Sequence, residues 1–115
     1  MKVTITLTTT GRKSGAPRPV TLYAFEDGDD LIIVGSLGGS PRDPAWVGNL
    51  RAEPLATLRV AKKERSVRAR EVKVPSPERD RLWKLVTESF HYYVTYQRKT
   101  ERVIPLFVLE PAGDE

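Results

Sequence analysis

A mainly β fold, an antiparallel barrel of about six strands with two helices on its rim, is what the patterning of this chain predicts. Three observations carry the prediction. Apolar residues alternate with period two in several short runs, and turn signals rich in glycine and aspartate fall between those runs. Most connections are also too short for the helical crossovers that a parallel sheet requires. The 115 residues are 39% hydrophobic and 30% charged, which suits one globular domain over 1–115 with a single core.

Taken in order, Val3, Ile5 and Leu7 alternate with threonines and predict a strand from Val3 to Thr9. A basic glycine turn follows, then a second alternating run from Val20 to Phe25. Asp27-Gly28 separates it from Leu31-Ile32-Ile33-Val34, a hairpin signal leading into a strand apolar on both faces. Pro41 and Pro44 allow a short helix from Ala45 to about Ala52, with Asp43 as its cap and Pro44 at the first helical position. Strands are expected at 56–61 and 66–74, joined by a turn at Lys62-Lys63-Glu64-Arg65. Within the second, Val67 and Ala69 share one parity and Val72 and Val74 the other, which predicts a bulge near Arg70-Glu71. Ser76-Pro77-Glu78 opens a second helix through Leu82, Leu85 and Val86, and Val103 to Leu109 is the last strand.

Several function classes are disfavoured at once. No apolar run approaches the roughly 20 residues of a membrane-spanning helix, so no integral membrane segment is expected. The amino terminus lacks a signal-peptide core, and cysteine is absent; together these favour a cytoplasmic address. With His91 the only histidine, no metal site is expected. The basic run Arg59, Lys62, Lys63, Arg65, Arg68, Arg70 and Lys73 has no interleaved aromatic. It reads as a guarded edge hairpin rather than a nucleic-acid surface.

Four constellations remain. Arg12, Lys13 and Arg18 surround Ser14, Gly15 and Pro17 between two strands. Glycines there let backbone N–H groups converge and arginines supply forks for phosphate, although a solvated hairpin tip has the same composition. The loop Gly35-Ser36-Leu37-Gly38-Gly39-Ser40 lets a flat ring or phosphate approach the main chain. Trp46 and Leu50, four apart, would cover a barrel end, with Asn49 beside them. Phe90, Tyr93 and Tyr96 are spaced by three and share a face if helical, as core or as pocket lining. No nucleophile–base pair stands out, so an enzyme of this sequence would take its chemistry from a cofactor.

The ordered set of these segments resembles the deazaflavin (F420)-dependent nitroreductase family. The resemblance runs through Leu7-Thr8-Thr9-Thr10-Gly11-Arg12-Lys13-Ser14-Gly15-Ala16-Pro17-Arg18, Gly28-Asp29, Gly35-Ser36-x-Gly38-Gly39, Pro44-Ala45-Trp46-x-x-Asn49-Leu50, Tyr93-x-x-Tyr96-Gln97 and Ile104-Pro105. It implies a split β-barrel related to FMN-binding proteins, reduced F420 as hydride donor, and a quinone, nitroaromatic or other unsaturated small molecule as acceptor. It further implies that Arg12, Lys13 and Arg18, with Ser14 and Pro17, hold the cofactor's phosphate or acidic tail. Ser36, Leu37, Gly38 and Gly39 would lie by the ring, Trp46 and Asn49 would flank the cleft, and Tyr93 and Tyr96 would face the substrate as catalytic residues. Leu37 stands where the family commonly has lysine, and Phe90 where the nitroreductase prototype has tyrosine. Both differences bear on nitroreduction more than on cofactor binding. The same fold with FMN or haem, or a non-catalytic F420-sequestering module, are the alternatives. Such barrels often form homodimers, which nothing in the sequence demonstrates.

Overall fold

A computed structural model describes residues 2–112. Its strands are β1 (Lys2–Thr10), β2 (Pro17–Asp27), β3 (Asp30–Val34), β4 (Leu55–Val60), β5 (Lys63–Glu71) and β6 (Leu106–Pro111). The helices are α1 (Ala45–Ala52), α2 (Pro77–Ser89) and α3 (Tyr92–Arg98). The strands close into a barrel in the order β1-β2-β3-β6-β5-β4, every pair antiparallel. Three pairs are hairpins; β6 enters between β3 and β5 after the helices, and β1 returns to β4.

Alternation decides which side chains fill the barrel. Ile5, Leu7, Ala24, Leu31, Ile33, Ala56, Leu58, Val67, Ala69, Phe107 and Leu109 point inward and are buried together. Trp46, Val47 and Leu50 of α1 join the same cluster and stopper one end. The opposite parity of β3 and β6, namely Ile32, Val34, Leu106 and Val108, packs against Leu82 and Val86 of α2 and Tyr93 of α3. That double burial is why β3 reads as an uninterrupted apolar run. The outer parity of β1, β2 and β4 carries Thr4, Thr6, Thr8, Pro19, Thr21, Tyr23, Leu55, Thr57 and Arg59, which are exposed or half-buried, with Phe90 at the end of α2 packed on Tyr23.

Some local expectations need correction. Pro44, with extended backbone, is the cap of α1 and the helix begins at Ala45. Asp43 instead takes ion pairs from Arg51 and Arg102, at 3.0 and 2.8 Å. The β5–β6 register runs without interruption from Val67↔Pro111 to Glu71↔Phe107, so there is no bulge. The strand ends at Glu71, and Val72 turns into the second cluster beneath α2. The β4–β5 turn is the two-residue Ala61-Lys62, with Ala61 at φ 56. The aromatic stripe does not continue α2: Phe90 leaves helical geometry at φ −147 and α3 starts afresh, giving three helices. Ser76 caps α2 as its sequence predicts, accepting from the Arg79 N–H at 3.0 Å.

Candidate functional site

A cleft of about 1150 Å³ lies over the outer face of β2. Its walls are the β1–β2 turn, Ser36 to Gly38 with the start of α1, and Phe90 with Tyr93 and Tyr96 of α3. At one end stand Arg12, Lys13, Ser14 and Arg18; at the other stand Tyr23, Phe90, Tyr93 and Tyr96. Along β2, Arg18 and Tyr23 are five residues apart, a separation of about 17 Å in extended chain.

The turn is a closed structure. Gly11 N–H donates to Ala16 O at 2.8 Å and Gly15 N–H to Gly11 O at 2.7 Å, with Gly15 at φ 73. Ser14 Oγ accepts from the Ala16 N–H at 3.1 Å and from Arg18 Nη2 at 3.3 Å. Arg12 is tied inward. Its backbone N–H and Nη1 both donate to Asn49 Oδ1, at 3.1 and 2.9 Å, and Nη1 also reaches Ala45 O at 3.0 Å. The guanidinium lies over Gly48, where a Cβ would come within 2.9 Å of it. Asn49 completes the link by donating to Thr9 Oγ1 at 3.1 Å. Buried Asn49 therefore orients Arg12, while Lys13 is exposed and makes no hydrogen bond or ion pair among the described residues.

At the far end the rings pack edge to face: Tyr23 on Phe90 at 5.7 Å, Phe90 on Tyr93 at 4.8 Å, Tyr93 on Tyr96 at 6.1 Å. Tyr93 is 5% exposed. Burial, with smaller effects from Tyr96 and Tyr23, pushes its phenol well above the ordinary 10.0. It stays protonated at neutral pH and can donate a hydrogen bond into the cleft. Trp46 is buried edge to face on Phe107 at 5.8 Å and presents only a margin to the cleft.

Of the residues singled out from sequence, Arg12, Lys13, Ser14, Arg18, Ser36, Leu37, Gly38, Trp46, Asn49, Tyr93 and Tyr96 come together on the cleft wall. Pro17 and Gly39 do not. Pro17 begins β2 opposite Thr10. Gly39, at φ 84, packs against α3, where a Cβ would meet Tyr96 O at 2.7 Å. Sequence reasoning missed Tyr23, whose outward parity next to the aromatic stripe was the available signal. It also missed Arg102, which lies behind the 35–43 segment. Arg102 donates from Nε to Ser40 O (2.9 Å), from Nη1 to Gly35 O (3.1 Å) and Asp43 Oδ1 (2.8 Å), and from Nη2 to Ser36 O (2.8 Å). No sequence motif announces a contact spanning some sixty residues. Among the described residues no cluster of metal-binding side chains occurs.

A family model for F420H(2)-dependent quinone reductases matches residues 1–111. The chain belongs to that family. An F420H(2)-dependent quinone reductase of Mycobacterium tuberculosis is 42% identical over 104 residues, covering 90% of this chain and 70% of the relative. A solved F420-H2 dependent reductase superposes with TM-score 0.83 at 38% identity over 93% of both chains. A structure described as a domain-swapped dimer gives TM-score 0.84 at 38% identity, covering 93% of this chain and 79% of the other. The heme storage protein HutZ of Vibrio cholerae, 16% identical with TM-score 0.71, shares the fold. This quinone reductase family member is thus an oxidoreductase that uses F420 and acts on a small molecule. The cleft suits such a cofactor, since cations gather at one end for an acidic tail and open space adjoins Gly38 at φ 62 for a flat ring. No helix among the described residues is long and apolar enough to cross a membrane.

Proposed function

We propose that this cleft is where F420 and a quinone are held together, and that its two ends divide the task. The observation carrying the reading is the polarity of the cleft: three cations at one end, four aromatic rings at the other. Lys13 and Arg18 bind the anionic tail, and Arg12, oriented by Asn49, sets the position of their turn. Ser36, Leu37 and Gly38 lie beside the ring. Bound reduced F420 supplies the hydride. Tyr93, protonated at neutral pH, donates a hydrogen bond to the acceptor's oxygen, and the half-buried Tyr96 hydroxyl or water delivers the proton to it.

Fluorescence titration with F420 tests the residue roles. Lys13→Ala should raise the dissociation constant several-fold with the melting temperature unchanged, because exposed Lys13 makes no hydrogen bond or ion pair among the described residues. Arg12→Ala should weaken binding and also cost about 1–3 kcal/mol of stability through its lost bonds to Asn49 and Ala45. Unchanged F420 affinity in both variants overturns the assignment of this end of the cleft.

Two further readings belong with this one. The exposed and half-buried outer face of β1 and β4, and a 38% identical structure described as a domain-swapped dimer, support a homodimer. The cysteine-free composition fits a cytoplasmic address.

A further inference from the structure

Among the residues that line the cleft there is no aspartate or glutamate. Its cationic end has Arg12, Lys13 and Arg18, and the aromatic end has two cations of its own at the rim. Lys2 Nζ lies 4.2 Å from the centroid of the Tyr23 ring and 5.3 Å from that of Phe90. On the other side, Lys99 Nζ lies 6.0 Å from the centroid of the Tyr96 ring. Tyr23, Phe90 and Tyr96 all line the cleft, so two ammonium groups bracket its aromatic wall.

Register and helical spacing put both lysines there. Lys2 shares the outward parity of Thr4 on β1. Thr4 stands opposite Tyr23 and Lys2 opposite Phe25, which makes Tyr23 the diagonal neighbour of Lys2, within reach of a long side chain. Lys99 follows the last residue of α3, three positions after Tyr96 and on the same face. Both are exposed, and neither ammonium makes a hydrogen bond or ion pair among the described residues. Arg51, Arg70, Arg81 and Arg102, by contrast, are each paired with a carboxylate.

A ring face at the surface holds a cation only weakly. Lysine also carries three rotatable donors on a flexible four-carbon stem, so its ammonium can pass from the ring to a ligand atom beside it. An anionic group lying along the rings would meet a cation on either side and no carboxylate to repel it.

We propose that Lys2 and Lys99 are specificity-determining residues that make the aromatic end of the cleft select acceptors with an anionic substituent, namely quinones bearing a carboxylate or sulfonate. The inference rests on the reading that the acceptor is held at this end. Reduction delivers a hydride and a proton to the quinone and leaves the substituent untouched. The lysines therefore act on binding of the acceptor, through KM rather than kcat.

The test compares para-naphthoquinone with the same quinone carrying one ring sulfonate, both reduced by the native protein with reduced F420. The quantity read is kcat/KM for the sulfonate divided by kcat/KM for the neutral quinone. Comparing that ratio between native and variant protein cancels the intrinsic reactivities of the two acceptors. Lys2→Gln and Lys99→Gln should each lower it about two- to fivefold at low salt, as expected for one charge lost several ångströms from the substituent in water. The double variant should lower it by about the product of the two. Lys73→Gln removes an equal charge beside Arg51 and Glu71, in a separate surface depression, and should leave the ratio where it was. A ratio that stays fixed in one variant removes that lysine from the selection, and one that stays fixed in both overturns the inference. An equal fall in Lys73→Gln also overturns it, because the effect would then belong to the net charge of the molecule.

Ring-proton NMR of the native protein separates this inference from the cleft reading. Both quinones should shift the signals of Tyr23, Phe90 and Tyr96. If those signals move while the ratio ignores both lysines, the selection falls and the cleft reading stands. If the rings respond to neither quinone, both fall.

Discussion

Tyr93 shows how a single side chain can be both core and cleft. Its ring packs between Phe25 and Phe90, at 5.8 and 4.8 Å, while its hydroxyl belongs to the pocket wall. Burial holds its folded-state pKa above the ordinary 10.0. Below that value both folded and unfolded chains keep the proton, so the group adds no pH dependence. Above it the unfolded chain ionises first, and stability falls as pH rises. Tyr93→Phe should therefore leave the neutral-pH unfolding midpoint within about 1 kcal/mol of the parent and flatten the loss of stability above pH 10, read by urea denaturation across pH. A steeper alkaline loss in the variant would contradict the assignment. In quinone reduction, the same substitution should lower kcat with little effect on F420 affinity.

Between elements, the decisive contact is that of the glycine loop with α3. Gly39 has φ 84, and a Cβ there would come within 2.7 Å of Tyr96 O and 3.0 Å of Lys99 Cβ. Gly28 has φ 62 with nothing within 4 Å. Gly28→Ala should cost about 1 kcal/mol of strain alone, and Gly39→Ala about 2 kcal/mol or more because α3 must also move. Thermal melts rank the two, and equal costs would mean that the loop does not bear on α3. Only Gly39→Ala should change the near-ultraviolet signal of the tyrosine cluster. The aromatic spacing of Phe90, Tyr93 and Tyr96 was legible in the sequence as a shared face. The break at Phe90 was not, because it follows from Phe90 packing between Tyr23 and Tyr93 rather than from a glycine or proline signal.

At the scale of the molecule, the helices cover β3, β6 and the Tyr23–Phe25 end of β2 and leave the outer side of β1 and β4 and the start of β2 exposed or half-buried. Thr4 and Thr21 on that side also line the cleft, so a partner seated there would change the cleft's opening. The homodimer reading predicts sedimentation at twice the 12.9 kDa chain mass at micromolar concentration. Sedimentation as a monomer up to hundreds of micromolar removes it. Salt gives a second measurement on the whole molecule. On the proposed tail site at Lys13 and Arg18, screening by salt should lower F420 affinity several-fold between about 0.05 and 0.5 M.

The sequence by itself determined the strands, the capped start of α2, the glycine turns and the ordered motifs that place the chain among F420-dependent enzymes. Period-two alternation and left-handed turns are local properties, written in neighbouring residues. The tertiary structure decided what each of these residues touches. Asn49 orients Arg12, Gly39 packs on α3, Asp43 pairs with two arginines instead of capping a helix, and Arg102 bonds to the loop carbonyls across a gap of some sixty residues. Those roles depend on which side chains meet when the barrel closes, and barrel closure is a property of the whole chain.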